Sequence, residues 1–481
     1  MGKRLNWGPI WLSSHHRPST GQIYITSCLS NLAMLTKLWF RWIEGVIKMN
    51  NFPQTSVQNQ ILEMINEQVI PFEPELVARE MLGQYYESIK SGDQPFILFC
   101  AGASGRILQP FFEKLHLPIV GFCDNNIALH GHKFCGLPVF SVDTLKQKYG
   151  QSVILIASAG YHRFIKQQLL DEGFAPSRIL TLDAGDTSIV ANLKRERLLM
   201  LARNGEPKDM IATYEREGDM IERVFHLLKD NKSKNLYIDR LVMIASCYEY
   251  TTYRRFVENY SEPVLKYGFE NTERLRQGGV HFYFRNDVLA LADDEVFLDG
   301  GAYNGDSAES FIQACEEQGR SYNAIHCFEA DKGNYAKLKD WAKTQLNIAC
   351  HPLGLWNEKT QVRFASSNIS ESYGARIQGS SEQEGIADIV IDTVTIDEVF
   401  SNQRVSLIKM DIEGAEIAAL EGARHVIRRD HPKLAISVYH NPEDLYRIPA
   451  MLAEMNPDYR FYLRHLGNHY DDTILFAIDG D

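Results

Sequence analysis

The sequence predicts an α/β protein with two Rossmann-like domains joined by a helical connector. Three observations carry this. Short apolar runs alternate with amphipathic stretches twice along the chain, over residues 93–185 and 278–481. Each series opens on a strand that runs into a glycine turn, FILFCAGASG in the first and EVFLDGGAYNG in the second. The last two apolar runs, RFYLRHL and DTILFAI, are separated only by GNHYD, too short for a parallel crossover, so the chain should close on an antiparallel pair.

Residues 1–48 stand apart, with six Lys or Arg, one acid (Glu44) and no clear period. The run IYITSCLSNLAMLT is too short and too polar to span a bilayer and stops at Lys37. Met49 opens a stretch that reads like an ordinary protein beginning. Residues 1–48 are therefore expected to stem from an over-early start, the alternative being a poorly ordered, weakly membrane-seeking leader. A helical segment is expected over 49–92, with apolar positions at Ile61, Ile65 and Val69 and again at Leu76, Met81 and Tyr85.

In 93–185, PFILFCAG, IVGFCDNN, SVILIASAG and RILTLD read as buried strands, with RILQPFFEKL and HRFIKQQLLDEG as helices between them. Strands this uniformly apolar need a parallel sheet covered on both faces. Residues 186–277 lose the strand pattern; NLKRERLLMLARN and DMIERVFHLLKD have helical spacing and abundant charge, which predicts a helical connector whose apolar side must be buried. From 278 to 481 the strands EVFLD, AIHCFEA, NIACHPLGLW, QVRFASS, VSLIKMDIEG and LAISVYH precede the terminal pair.

Composition narrows the function. A net charge of -12 without a basic tract argues against nucleic acid as partner, and 44% hydrophobic with 23% charged residues suits a soluble globular protein without stable membrane insertion. Eight scattered cysteines, none in a C-x-x-C pair, read as small buried hydrophobes of a reducing, cytoplasmic compartment.

Two glycine turns invite ligands. Gly300, Ala302 and Gly305 fit a G-x-A-x-x-G turn, flanked by Gly301, Tyr303 and Asn304, and Glu329 ends the next strand. This suits a nicotinamide dinucleotide, with Glu329 on ribose hydroxyls, and equally the nucleoside-type methyl donor S-adenosylmethionine. Asp299, directly before the glycines, would repel a pyrophosphate and attract an amino group or a sulfonium, which favours the methyl donor. In the first turn Gly102 and Gly105 are present, Cys100 replaces the leading glycine, and Asp124 could meet a ribose. That unit is either a nucleotide or nucleotide-sugar site or a degenerate module serving structure or a homo-oligomer.

VFLDGGAYNGDS, FEADKGNYAKL, LIKMDIEGAEIAALEGA and PKLAISVYHNPEDL together resemble the FkbM family of S-adenosylmethionine-dependent methyltransferases, over roughly the last 200 residues. The resemblance implies a class I methyltransferase fold, a seven-stranded sheet with an antiparallel last strand. It also implies O-methylation, commonly of sugar or polyketide-like hydroxyls. FEAD stands where the family usually has F-E-P, but Glu329 is retained. The N-terminal unit resembles small Rossmann-like domains that precede some FkbM-type and sugar-modifying enzymes.

Ligands of open α/β sheets gather at the carboxyl ends of the strands, where Asp299, Glu329, Asp411 and His440 all fall. An acceptor hydroxyl must lose its proton, so His440 is expected to act as general base with Asp411 orienting it or the substrate. Asp411, His440 and Asn441 also resemble, in position on the fold only, the oxygen-rich metal site of catechol-type methyltransferases; a hard cation suits Asp411 and Asn441 but His440 poorly, so a divalent metal is possible but not favoured over His440 as base. A helix is expected to begin near Glu413. Glu416 then reads as a first-turn acid, while Glu413 is balanced between that role and a catalytic one. Arg464 and His465 either line the acceptor pocket or pair with edge carboxylates, His281 and His351 read as ordinary polar residues, and Trp356 as core or adenine stack.

The expected function is S-adenosylmethionine-dependent O-methylation of a sugar, nucleotide-sugar or glycan hydroxyl. The competing classes are an NAD(P)-dependent sugar oxidoreductase or epimerase, which Asp299 disfavours, and a non-catalytic nucleotide-sugar-binding protein.

Overall fold

An apolar run with every side chain buried belongs in a sheet covered on both faces, and FILF is such a run. The computed structural model describes residues 59, 63, 74–158, 161–181, 207–248, 250–260, 282–365, 376–377, 388–467 and 472–480. In it β1 (Phe96–Phe99) turns Phe96 and Leu98 into one core with Leu108 and Phe112, and Ile97 and Phe99 into another with Ile154 and Leu169. The expectations for residues 1–48, for Ile61, Ile65 and Val69, for NLKRERLLMLARN and for His281 fall outside the described residues.

β2 (Gly121–Cys123), β3 (Lys133–Phe134), β4 (Leu137–Phe140), β5 (Val153–Ile156) and β6 (Ile179–Thr181) complete a six-stranded sheet in the order β3-β4-β2-β1-β5-β6. Every pairing is parallel except the β3–β4 hairpin. Sequence reading passes over that hairpin because strands of two and four residues are too short to show a period. Its turn runs through Cys135 and Gly136, both at positive φ, the conformation tight hairpins require.

The expected connector forms helices Pro207–Arg216, Gly218–Leu227, Asn231–Ala245 and Tyr250–Tyr260. It is a packed layer and not a spacer. Ten residues of Asn231–Ala245 are buried, and the segment joins the edge of the C-terminal sheet. The Lys229 N–H donates to the Phe461 carbonyl at 3.1 Å, and the Leu463 N–H to Ser233 Oγ at 2.9 Å.

In the C-terminal part, β7 (Glu295–Gly300), β8 (Tyr322–Phe328) and β9 (Ile348–His351) are followed by β10 (Gly354–Leu355), β11 (Gln361–Ala365), β12 (Arg376–Ile377) and β13 (Asp388–Val394). β14 (Leu407–Met410), β15 (Lys433–Ser437), β16 (Tyr459–His465) and β17 (Thr473–Asp479) close the chain. Seven of them build one sheet in the order β16-β17-β15-β14-β7-β8-β9. β17 runs antiparallel to both neighbours and all other pairings are parallel. This is the seven-stranded sheet with an antiparallel last strand that the sequence led us to expect.

Two details correct the reading. NIACHPLGLW is not one strand: it divides into β9 and β10 around Pro352, which has no N–H to extend a ladder. A separate four-stranded sheet, β10-β13-β11-β12, also includes the overlooked DIVIDTV. Among the described residues no helix is long and apolar enough to cross a membrane. The seven described cysteines are free thiols, and burial, helped by the Asp124 charge, pushes Cys100 up to about 12.

Candidate functional site

The parallel strands deliver Asp299, Glu329, Asp411 and His440 to the carboxyl edge of the seven-stranded sheet. β7 ends there in a turn that only glycine can make. Gly301 has φ 74, and a Cβ on it would fall 1.9 Å from the Asp411 carbonyl; Gly305 has φ 98, and its Cβ would fall 2.3 Å from the Trp341 ring. The N–H groups of Gly301 and Ala302 both donate to the Phe328 carbonyl at 3.0 Å. Asn304 Oδ1 accepts from Asp306 N–H at 3.2 Å, opening the helix Asp306–Gln318, and the Lys337 ammonium lies 5.6 Å from the Tyr303 ring centroid.

Glu329, assigned from sequence to a ribose, also holds this turn. Its Oε2 accepts from Tyr303 N–H at 2.9 Å and its Oε1 from Asp331 N–H at 2.7 Å. Burial pushes its carboxyl up to about 7, against the pull of those two N–H groups.

Asp299 is fully buried, and its partner is one the sequence reading missed: Lys409 Nζ, 3.0 Å from Oδ1. The signal was available, since a lone lysine inside an apolar strand demands a carboxylate. Lys409 and Asp299 stand directly opposite each other across β14 and β7.

The second group of residues surrounds His440. Glu416 Oε1 lies 2.9 Å from its Nδ1, while Asp411 Oδ1 and Glu413 Oε2 lie 3.4 and 3.6 Å from its Nε2. Burial by itself would lower the imidazole, but Glu416, Glu413 and Asp411 outweigh it and push His440 up to about 10. The general-base role expected of His440 needs a free ring lone pair, which a proton held between these carboxylates occupies. Asp411 accepts from Tyr439 Oη at 2.8 Å and Tyr283 Oη at 3.2 Å. Burial works to raise Asp411, and His440, Lys409 and Tyr439 together hold it below the usual carboxylate range.

The helix begins at Glu416, not near Glu413. Glu413 sits at φ 59 in the loop before it, and Glu416, fully buried, accepts from Ile412 N–H at 2.9 Å while facing His440. The first-turn reading of Glu416 thus misses its larger part, an ion pair with a residue 24 positions on that no local pattern reveals. The Asn441 amide donates to Asp444 Oδ2 at 2.9 Å. Burial and the Glu416 charge push Asp444 up to about 7. Asp411, Glu416 and His440 bring ligand-type atoms within 4.8 Å of one another, with Glu416 on Nδ1 and Asp411 on Nε2 of the ring.

Arg464 pairs with edge carboxylates, Asp230 at 2.8 Å and Asp287 at 2.6 Å, fastening the expected connector to β16. His465 stands beside Phe256, with Nδ1 3.1 Å from Thr473 Oγ1. His351 stacks on Phe328 at 4.4 Å.

The N-terminal turn repeats the same device. Asp124 accepts through one oxygen from Ala101 N–H and through the other from Asn126 N–H, both at 2.8 Å, as Glu329 does with Tyr303 and Asp331. Cys100, in place of the leading glycine, takes φ 91. Gly102 precedes the helix Ala103–Lys114, and a Cβ on Gly105 would meet the Cys100 carbonyl at 2.5 Å.

Residues 299–470 match the family model described as Methyltransferase FkbM domain. No curated protein matches the chain. Similar solved structures include the methyltransferase FkbM of Methylobacillus flagellatus KT, at 20% identity over 88% of this chain and 99% of that one, with a TM-score of 0.46. The Aeropyrum pernix fibrillarin, in complex with natively bound S-adenosyl-L-methionine, aligns at 13% identity over 42% of this chain and 74% of that one, with a TM-score of 0.26. A Streptococcus thermophilus rRNA methylase aligns at 12% identity over 43% and 95%, with a TM-score of 0.26.

Proposed function

Residues 299–470 form an S-adenosylmethionine-dependent methyltransferase domain of the FkbM type, and from that premise we propose that the chain methylates a hydroxyl of a sugar, nucleotide-linked sugar or glycan. The observation that carries the reading is the pairing of the two constellations on one sheet edge. Gly301 to Gly305 and Glu329 make the turn read here as the donor site, and the ends of β14 and β15 carry the Asp411–Glu413–His440 group.

Donor binding rests on Glu329 for the ribose hydroxyls and on Gly301, Tyr303, Asn304 and Gly305 for the backbone surface beside it; Asp299, expected at the positive end of the donor, is instead sealed against Lys409 and supports the turn from beneath. In the transfer, the acceptor oxygen forms a bond to the methyl carbon as the carbon–sulfur bond breaks. The electron pair stays on sulfur, leaving S-adenosylhomocysteine. The acceptor proton, made strongly acidic as the oxygen gains positive charge, passes to a carboxylate.

Glu413 is the carboxylate best placed to take it. Glu416 is buried, and both oxygens of Asp411 already accept from tyrosine hydroxyls, whereas the Glu413 side chain is 33% exposed on its loop. Asp411 orients the hydroxyl, and His440 is the cation that holds the carboxylates in place. The repeated acid–turn arrangement at Asp124, Gly102 and Gly105 supports a nucleotide-type site in the N-terminal unit.

The test is methyl transfer from labelled S-adenosylmethionine to a panel of sugars, nucleotide sugars and glycans, with Glu413→Gln and Asp411→Asn alongside. Transfer to a member of the panel that both variants lower through kcat supports the reading. Calorimetric uptake of NAD in place of S-adenosylhomocysteine overturns it. Full-chain Asp124→Ala should lose nucleotide binding without losing that of S-adenosylhomocysteine.

A further inference from the structure

We propose that Lys409 is a positioning residue for the donor turn, gripping it by its carbonyls and setting its place against Asp411. The inference deepens the reading of Gly301 to Gly305 as the donor site. Lys409 lies in β14, whose four residues are all buried, and is itself only 2% exposed. Burying an ammonium costs several kcal/mol unless each N–H finds an acceptor. Here Nζ donates to the Gly301 carbonyl at 2.9 Å and the Gly300 carbonyl at 3.2 Å, and stands 3.0 Å from Asp299 Oδ1. Two carbonyls and one carboxylate therefore surround the ammonium, all on the turn or directly before it.

The turn is thereby held on both sides. Its N–H groups at Gly301 and Ala302 are tied to the Phe328 carbonyl and that of Tyr303 to Glu329, while its carbonyls at Gly300 and Gly301 are tied to Lys409. Gly301 at φ 74 is the point where the chain reverses between these two grips. A neutral side chain at Lys409 would take from the Gly301 carbonyl its ammonium donor. The lysine also lies two residues before Asp411, whose N–H donates to the Gly300 carbonyl at 3.1 Å. β14 therefore carries the clamp on the donor turn and leads directly into the acceptor-side carboxylate, so their spacing is set by two steps of backbone.

Lys409→Met alone would strand the Asp299 charge and could unfold the chain, so the experiment compares full-length Asp299→Asn with Asp299→Asn/Lys409→Met, in which neither buried charge remains. Two quantities are read: S-adenosylhomocysteine affinity by calorimetry, and amide hydrogen exchange in peptides spanning Gly300 to Asp306, referenced to β15. The expected result is that the double variant binds at least tenfold more weakly than Asp299→Asn and exchanges faster in the turn, with β15 unchanged. Equal exchange and equal affinity in the two variants overturn the proposal, as does faster exchange spread evenly over the turn and β15, which marks a merely structural lysine. If even the wild type fails to bind S-adenosylhomocysteine, the donor assignment falls. The exchange comparison then still decides whether Lys409 holds the turn.

Discussion

Glu416 Oε1 stands 2.9 Å from His440 Nδ1, with both side chains buried, and Asp411 and Glu413 face the other nitrogen of the same ring. A histidine enclosed by three carboxylates is an imidazolium, and the site's chemistry follows from that charge.

Stability should report it. His440 is pushed up to about 10 from 6.5, so the folded state holds a proton that the unfolded chain releases across that window. The stabilisation is complete below pH 6.5 and is lost as pH rises through about 10. Glu329 and Asp444, both raised to about 7, lose their contributions lower, between the ordinary carboxylate range and pH 7. Chemical denaturation between pH 7 and 10 should therefore show a steeper loss in the wild type than in His440→Gln. Parallel curves would refute the charged histidine.

Glu329→Ala removes the acceptor for Tyr303 N–H together with the expected ribose contact. Hydrogen bonds to a charged group are worth about 1.5–3 kcal/mol, so S-adenosylhomocysteine affinity should fall about 10- to 100-fold in calorimetry. Unchanged affinity would place the ribose elsewhere.

Gly301→Ala and Gly305→Ala each add a clash to a strained backbone, with the Asp411 carbonyl in one case and the Trp341 ring in the other. Each should lower stability by about 2 kcal/mol or more and abolish donor binding. Gly319→Ala is the control. It has φ 62 with nothing within 4 Å, so it should cost only about 1 kcal/mol and leave binding intact.

Arg464→Ala leaves Asp230 without its buried partner, while Asp287, 55% exposed, regains water. The loss in urea unfolding should be about 2–3 kcal/mol, below the about 3–5 of a fully enclosed pair. A loss under about 1 kcal/mol would show that the contact between Asn231–Ala245 and β16 does not depend on this arginine.

Chelation is the remaining test. With His440 charged and its carboxylates paired to it, methyl transfer should survive exhaustive EDTA treatment without change. Activity lost on chelation and restored by Mg2+ or Mn2+ would return a cation to Asp411 and its neighbours.

Local pattern by itself determined much of this protein: both series of buried strands, the antiparallel close, the glycine positions and the acids that end their strands. These are legible because strand burial, positive φ and strand-end placement are properties of a few consecutive residues. The short hairpin β3–β4, the division at Pro352 and the extra sheet containing β13 escaped because they show too little period. The pairings across distance were beyond any local signal. Lys409 meets Asp299 from 110 positions away, Arg464 meets Asp230 and Asp287, and Glu416 meets His440. Sequence could mark His440 as a residue able to take a proton. Only the tertiary structure, by bringing three carboxylates around its ring in a buried place, decided that it already holds one.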